Sequence, residues 1–216
     1  ADHGHDTDVH ADHDAHAHDD HHAHAHAEAD AGGANKADKH DHGVYDPHVW
    51  ISPKRALTLA DNIRNGLIEA DPERRSEYES NHADFVAQLE QLDRKLHEVV
   101  AAGTRDHIVV SHHAYAYLAY DYGFEQIAVM GLSPEAEPTP RELQSISEFI
   151  QDHDVQYILF EELASPRIAE MLSSDLGLDT LVFHPLEGLT DQQMADGEDY
   201  VSLMEHNIDQ LAKALE

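Results

Sequence analysis

Residues 107–130 read HIVVSHHAYAYLAYDYGFEQIAVM, and this stretch decides the fold. It opens with HIVVS, a short apolar run that is typical of a buried strand. A helical pattern, AYAYLAYDY, follows and ends at Gly123, after which EQIAVM is a second strand-like run. Two strands joined by a helix favour a right-handed crossover, and they therefore predict a parallel sheet.

The alternation of strand and helix patterns continues to the C-terminus. Helical patterns that begin with TPREL, with SPRIA and near Gly197 alternate with the strand patterns VQYILFEE and DTLVFHPL. We predict an α/β lobe over residues 104–216, in which helices cover both faces of a parallel sheet. Functional groups in such a lobe are expected at the carboxyl ends of the strands.

Two helices are predicted ahead of this lobe. The side chains of Leu59, Ile63 and Leu67 are spaced four apart, which predicts a helix over residues 53–70 that buries this stripe. Mostly apolar positions spaced alternately by four and three follow in residues 71–103. This second pattern predicts one helix of about thirty residues, roughly 45 Å long, which is enough to span a domain.

Local signals predict where these helices begin and end. Asp71 and Pro72 suit the cap and the first position of the long helix, and Gly103 suits its end. Thr139 is the predicted cap of the helix that begins with TPREL.

The first 43 residues have a different composition. They contain 12 His, 11 acidic residues and 2 Lys, with few side chains larger than Ala that prefer burial. Because such a composition cannot offset the entropy of ordering the chain, we predict a disordered segment over residues 1–43. Its imidazoles are expected to collect metal ions with low affinity.

Charge and cysteine content exclude several classes of function. The chain of 216 residues has 44 acidic residues against 13 Lys and Arg, a formal charge of −31, and no Cys. This negative charge opposes binding to nucleic acid and to anionic membrane surfaces. The absence of Cys rules out thiolate ligands and disulfides. The chain shows neither an apolar run near the length of a membrane span nor the pattern of a secretion signal.

Three residues are candidates for a metal site because of where they lie in this pattern. His112 follows the strand HIVVS, Glu187 follows DTLVFHPL, and His48 lies in the turn-prone segment DPHVW. Position alone also suits other roles, since a histidine after a strand commonly forms ordinary hydrogen bonds and a loop glutamate is commonly solvated. Asp46 and Pro47 also suit a turn that leads into a helix.

Several motifs together resemble one protein family. They are YDPHVWISP, VVSHHAYAYLAYDYGF, GLSPEAEPTPREL, ILFEELAS and HPLEGLT, and they extend from about Val44 towards the C-terminus. In this order they resemble the solute-binding proteins of zinc and manganese ABC transporters. The resemblance implies two α/β lobes joined by one rigid helix, with the metal bound in the cleft between them. It also implies that His48, His112 and Glu187 are metal ligands.

The resemblance further implies a division of the chain. Residues 44–70 correspond to a remnant of the N-terminal lobe, residues 71–103 to the connecting helix, and residues 104–216 to the C-terminal metal-binding lobe. Complete members of the family take a further histidine ligand from the first lobe. We therefore expect the chain to be truncated at its N-terminus.

The ligand types favour zinc over manganese. Imidazole nitrogen suits Zn²⁺, whereas carboxylate oxygen suits Mn²⁺. Zinc-type members of the family also resemble this chain in having a His-rich loop before the DPHVW motif. Zn²⁺ is therefore the expected transported ligand, with Mn²⁺ less favoured. His113 is not expected to bind metal, and Trp50, Tyr115 and Tyr117 are expected to pack the walls of the cleft.

These observations predict the zinc-binding receptor of an ABC importer, which captures Zn²⁺, delivers it to a permease in the membrane and does no covalent chemistry. We expect a monomer outside the cytoplasm, either periplasmic or lipid-anchored at the outer face of the cytoplasmic membrane. A His-rich metallochaperone or zinc-buffering protein is the alternative, because a chain of imidazoles binds metal whatever it is attached to. A zinc hydrolase is less favoured because the sequence has no HExxH motif.

Overall fold

The computed structural model describes residues 45–132, 138–162 and 167–216. The segment 1–43, predicted to be disordered, lies outside these residues. Two short 3₁₀ helices, Val49–Ile51 and Pro72–Arg74, precede the first two α-helices. The α-helices are α1 (Pro53–Ala70), α2 (Arg75–Ala102), α3 (Ala116–Tyr122), α4 (Pro140–Asp152), α5 (Arg167–Leu176), α6 (Asp191–Asp196) and α7 (Tyr200–Leu215). The strands are β1 (His107–His112), β2 (Glu125–Met130), β3 (Tyr157–Phe160) and β4 (Asp179–Val182). No helix in the described ranges combines the length and the apolar character needed to cross a membrane.

The strands form one parallel sheet in the order β2-β1-β3-β4. Val109 at the centre of β1 lies opposite Ile127 of β2 and Ile158 of β3, and Ile158 in turn lies opposite Thr180 of β4. The predicted α/β class and parallel sheet are therefore confirmed. Because β1 is an inner strand, its carboxyl end is flanked by the ends of two neighbours.

Both faces of the sheet are covered by apolar side chains. Ile108 and Val110 belong to a large core cluster that includes residues of α1, α2, α3 and α7. Val109 belongs to a second cluster, together with residues of α4 such as Ile146 and Ile150. Successive side chains of a strand point to opposite faces, so the single strand β1 contributes to both clusters.

The predicted buried stripe of α1 is wrong, although the helix itself has the predicted bounds. Ile63 and Leu67 expose 63% and 43% of their surface. The buried residues are Pro53, Ala56, Ala60 and Ile68. At 100° per residue this face is rotated by roughly 75° from the leucine–isoleucine stripe. Small alanine side chains let α1 pack closely against α2, and this contact, rather than the most apolar spacing, selects the buried face.

The long helix follows its predicted pattern but begins differently. Asp71 and Pro72 take the predicted cap and first position, but of a 3₁₀ turn, Pro72–Arg74, and α2 starts at Arg75. Asp71 makes no side-chain bond to the helix backbone. Its carboxylate instead accepts a hydrogen bond of 2.8 Å from Arg74. The alternating stripe faces the core, and Leu89 within it is fully buried.

Gly103 ends α2 as predicted, but for a different physical reason. Its φ of −61° is not left-handed. A Cβ at this position would lie 2.9 Å from the Cβ of Leu215, so the glycine permits a close approach between the end of α2 and the end of α7. The backbone N–H groups of Thr104 and Arg105 both donate to the carbonyl of Leu215, at 2.7 and 3.0 Å.

The predicted C-terminal helix is confirmed as α7, which begins at Tyr200 rather than near Gly197. A short helix that the sequence pattern does not predict, α6, lies before it and ends at Asp196. Gly197 has a φ of +76° and closes α6 in the left-handed conformation. Thr190 caps α6 through a capping box with Gln193. These two caps stabilise a helix too short to be recognised from its apolar periodicity.

Candidate metal centre

The three candidate residues reach one point from separate parts of the chain. His48 precedes the helix Val49–Ile51, His112 is the last residue of β1, and Glu187 lies in the loop after β4. One potential ligand atom of each residue lies within 4.8 Å of those of the other two. In the described part of the chain, no other group of three or more His, Asp or Glu side chains converges in this way.

The two histidines are buried, and the glutamate is partly exposed. The imidazole centroids of His48 and His112 are 5.3 Å apart, and the rings are tilted by 67°. Nε2 of His48 lies 3.1 Å from Oε1 of Glu187. The histidine side chains expose 1% and 0% of their surface, whereas that of Glu187 exposes 39%. Solvent therefore reaches the group from the side of the glutamate.

The alternation of side chains along β1 directs His112 to this group. His112 has the same parity as Ile108 and Val110, which face the large core cluster containing Ile51. Ile51 lies only three residues after His48. The face of the sheet that contributes to this core cluster is thus also the face on which the two histidines meet.

A carboxylate fixes the orientation of His48. Oδ1 of Asp46 accepts hydrogen bonds from the backbone N–H of His48 at 3.0 Å and from Nδ1 at 2.6 Å. In the neutral form that binds a metal, this bond keeps the proton on Nδ1, so the lone pair lies on Nε2, the nitrogen that faces Glu187. The turn expected at Asp46 is therefore also the positioning element of a candidate ligand.

A second carboxylate fixes His112. Glu161, which follows β3 and is 4% exposed, is hydrogen-bonded through Oε1 to Nδ1 of His112. Nε2 of His112 is buried and has no hydrogen-bond partner among the described residues. A buried polar atom without a partner is unfavourable in an ordinary core, and it suits a nitrogen that coordinates a metal ion.

Sequence reasoning missed Glu161 as a functional residue. The signal was present, because Glu161 directly follows the strand pattern VQYILFEE. Parallel strands end at the same edge of a sheet, so adjacent β1 and β3 bring Glu161 to His112. Finding this pair requires the strand order, which the sequence pattern does not contain.

The three aromatic residues near the site donate hydrogen bonds to backbone carbonyls. Trp50 Nε1 donates to the carbonyl of Pro185 at 2.9 Å. The hydroxyl of Tyr115 donates to Phe183 at 2.8 Å, and the hydroxyl of Tyr117 donates to Asp46 at 3.1 Å. These bonds anchor the segments that contain Glu187 and His48. The polar atoms of the aromatic residues thus position the candidate ligands indirectly.

His113 belongs to different surroundings from His112. It lines a cavity of about 470 Å³ between β2 and α4, together with residues such as Gln126, Met130 and Arg141. None of the three converging residues lines this cavity. Burial lowers the pKa of His113 and so favours its neutral form.

The electrostatic environment of the centre favours a cation. Burial alone would lower the pKa of His48, but hydrogen bonds to Glu187 and Asp46 outweigh it and raise the pKa above its ordinary value. Two imidazoles and one carboxylate converge, and each imidazole is backed by a further carboxylate. This nitrogen-rich donor set fits Zn²⁺ better than Mn²⁺, which prefers oxygen ligands.

Comparison with known proteins agrees with this chemistry. Residues 2–214 match the family described as zinc-uptake complex component A, periplasmic. The chain is 39% identical over 183 residues to the zinc-binding lipoprotein AdcA of Streptococcus pneumoniae, covering 82% of this chain and 36% of that protein. It is 35% identical over 170 residues to the high-affinity zinc uptake system protein ZnuA of Bacillus subtilis, covering 79% and 53%.

Solved structures of related proteins share the fold of this chain. The Zn(II)-bound ZnuA-like domain of Streptococcus pneumoniae AdcA is 39% identical to this chain with a TM-score of 0.69, covering 79% of this chain and 64% of that one. The laminin-binding protein Lbp of Streptococcus pyogenes is 30% identical with a TM-score of 0.73, covering 82% and 68%.

The relatives are longer than this chain, which spans about a third of the length of the pneumococcal lipoprotein and about half of the Bacillus protein. The family match nevertheless covers nearly all of the 216 residues. The resemblance to zinc-type solute-binding proteins is therefore confirmed, and the chain belongs to the family of periplasmic component A proteins of zinc-uptake complexes.

Proposed function

We propose that this protein is a zinc receptor that binds Zn²⁺ through Nε2 of His48, Nε2 of His112 and the carboxylate of Glu187. The observation that carries the proposal is the convergence of these three side chains within 4.8 Å, with both imidazoles held by carboxylates. The names of the relatives, zinc-binding lipoprotein and zinc uptake protein, support the choice of metal. Zinc is the cargo in this role, so the protein itself performs no covalent chemistry.

The ligand set also accounts for capture of the ion. Two neutral imidazoles and a carboxylate bind Zn²⁺ at about 2.0 to 2.2 Å in a tetrahedral arrangement, with the fourth position open to another ligand. Glu187 is the exposed member of the group, so we propose that it meets the ion first. The buried histidines then replace water molecules bound to the zinc ion, and their carboxylate partners balance the positive charge of the ion.

We further propose that the ion is held between lobes and then delivered to a membrane permease of an ABC importer. His48 belongs to segment 44–70, whereas His112 and Glu187 belong to segment 104–216, and residues 71–103 connect the two. The family membership supports a location outside the cytoplasm. A monomer, periplasmic or lipid-anchored, is the expected form.

Residues 1–43 are proposed to collect zinc for this centre. Their 12 His and 11 acidic residues supply many weak ligands in addition to one site of higher affinity. In the alternative function, a zinc buffer, these histidines would be the main binding element. The two functions differ in where the tight zinc site lies.

A pair of adjacent substitutions tests the proposal. We expect His112→Ala to raise the dissociation constant of the tight zinc site by at least about 100-fold, because it removes a ligand rather than a supporting group. His113→Ala is the matched control, since His113 lines a separate cavity. Affinity is measured on the full chain by competition with a chromophoric chelator. Equal losses in both variants, or no loss in either, would contradict the proposed site.

A further inference from the structure

The loop that presents Glu187 is fixed by hydrogen bonds in the residues that precede it. The hydroxyl of Tyr115 donates to the carbonyl of Phe183 at 2.8 Å. Asn207 of α7 bonds both backbone groups of His184, accepting from its N–H at 2.7 Å and donating to its carbonyl at 2.8 Å. Tyr115 and Asn207 are each 1% exposed, so these anchors are part of the core.

The next residue, Pro185, is fixed in the same way. Its carbonyl accepts a hydrogen bond of 2.9 Å from Nε1 of Trp50. The carbonyl of Trp50 in turn accepts a hydrogen bond of 2.8 Å from the hydroxyl of Tyr200. Because Trp50 lies two residues after His48, this bond links the loop of Glu187 to the segment that contains His48.

Leu186, between this anchored segment and Glu187, has an unusual backbone conformation. Its φ is +61°, and Asp154 is the only other non-glycine with positive φ among the described residues. Aspartate tolerates the left-handed region comparatively well, whereas a leucine there is strained. The side chain of Leu186 packs against the large core cluster. Such strain persists only where surrounding contacts impose it, and it is concentrated at functional sites.

We infer that Leu186 is a positioning residue whose left-handed conformation aims the carboxylate of Glu187 at the two histidines. The inference rests on the proposed zinc-binding function. The chain bends at Leu186 and Glu187, and the left-handed residue at this bend sets where the next side chain points. Here that side chain is Glu187, whose Oε1 lies 3.1 Å from Nε2 of His48.

This conformation lowers the entropy lost when zinc binds. Glu187 is the most exposed of the three candidate ligands, and a carboxylate on a mobile loop would have to be ordered by the ion. With residues 183–186 already fixed, this ordering takes place during folding. The strain at Leu186 is then a consequence of holding a surface carboxylate over a buried pair of histidines.

Two substitutions at this position separate backbone direction from side-chain packing. Leu186→Gly and Leu186→Asn both remove the leucine side chain. Asparagine adopts the left-handed conformation readily, whereas glycine populates many conformations and frees the loop. We expect L186G to raise the zinc dissociation constant about 5- to 30-fold, the ratio that corresponds to fixing the backbone of one residue. We expect L186N to have an unfolding midpoint similar to that of L186G, because both variants lack the leucine side chain. Its zinc affinity should be close to that of the wild type.

The measurements are the zinc dissociation constant of the tight site, by chelator competition, and denaturant unfolding of the zinc-free full chain. Weaker binding in L186G that is restored in L186N, at similar stability, supports the inference. Equal zinc affinities in both variants overturn the inference, because Leu186 would then act through its packing alone or have no role in binding. Glu187→Ala serves as the reference. If E187A keeps tight binding, the ligand role of Glu187 is wrong, and the inference about Leu186 fails with it. If E187A loses tight binding but L186G and L186N have equal affinities, only the inference about Leu186 is rejected.

Discussion

Glu161 is hydrogen-bonded to Nδ1 of His112, although the two residues are 49 positions apart in the chain. Both are buried, and both lie at the carboxyl ends of adjacent parallel strands. The sheet therefore supplies a candidate ligand from one strand and its positioning carboxylate from the next. Asp46 has the same relationship to His48, but within a single turn.

We expect removal of the Glu161 carboxylate to weaken zinc binding. Glu161→Ala leaves Nδ1 of His112 without its acceptor, so the imidazole loses its fixed tautomer and orientation. Such changes typically cost 10- to 100-fold in metal affinity, and we expect about this loss. Chelator competition measures it. Glu162→Gln is the control, because Glu162 is exposed and bonded to Gln193, so its affinity should match that of the wild type.

The ion pair between Asp121 and Arg55 is expected to contribute to stability. Asp121 is 6% exposed and accepts hydrogen bonds from Arg55 at 2.6 and 3.0 Å and from Ser52 at 2.7 Å. Asp121→Asn removes the charge that these donors complement. We expect it to lower the free energy of unfolding by about 1 to 3 kcal/mol at neutral pH. Denaturant titration measures this, and an unchanged midpoint would contradict it.

The stabilisation from this ion pair is expected to decrease as the pH falls. Burial alone would raise the pKa of Asp121, but its hydrogen bonds to Arg55 and Ser52 outweigh it and lower the pKa below the ordinary value of 3.8. A folded-state pKa below the unfolded-state value stabilises the protein above the unfolded pKa, and this contribution is lost as the pH falls through the folded one. The stability difference between wild type and D121N should therefore shrink below about pH 4. A difference that grows on acidification would contradict this assignment.

Replacing two different glycines by alanine is expected to change the stability of the protein in opposite directions. In Gly103→Ala the new Cβ would lie 2.9 Å from the Cβ of Leu215 and 3.3 Å from its carbonyl oxygen. This overlap should destabilise the junction of α2 and α7 by about 1 to 3 kcal/mol. A Cβ at Gly66, within α1, would meet no atom within 4 Å beyond the adjacent backbone of its own helix, so Gly66→Ala should stabilise the protein by about 0.4 to 1 kcal/mol. Unfolding of the two variants under the same conditions provides the comparison.

The elements that could be predicted from the sequence are those with local signals. The strands HIVVS and EQIAVM, the end of α3 at Gly123 and the cap at Thr139 all appear as expected. Each depends on residues close together in the chain, so their pattern alone determines the outcome.

The features that escaped prediction depend on tertiary contacts. The buried face of α1 follows from packing against α2, and so Ile63 remains exposed although Ile68 of the same helix is buried. The roles of Glu161 and of Leu186 depend on strand order and on anchors from distant helices. The candidate ligands were found through motif resemblance, since position in the fold also suited ordinary hydrogen-bonding roles.

The His-rich segment predicts a second, weaker class of zinc sites. Deletion of residues 1–43 should remove this class and leave one tight site, because the converging residues all lie outside it. Free imidazoles titrate near pH 6.5, so protons should displace zinc from the weak class first between about pH 7.5 and 5.5. Calorimetric zinc titrations of both chains test this. Loss of all tight binding on deletion would favour a zinc buffer instead.

The central claim is that one zinc ion joins His48, His112 and Glu187, and anomalous diffraction at the zinc absorption edge from crystals of the zinc-loaded protein tests it most directly. The account predicts a strong peak at about 2.0 to 2.2 Å from Nε2 of both histidines and from a carboxylate oxygen of Glu187. A zinc ion bonded to His113 would contradict the account, and so would a strong peak that lacks a bond to at least one of the three proposed ligands.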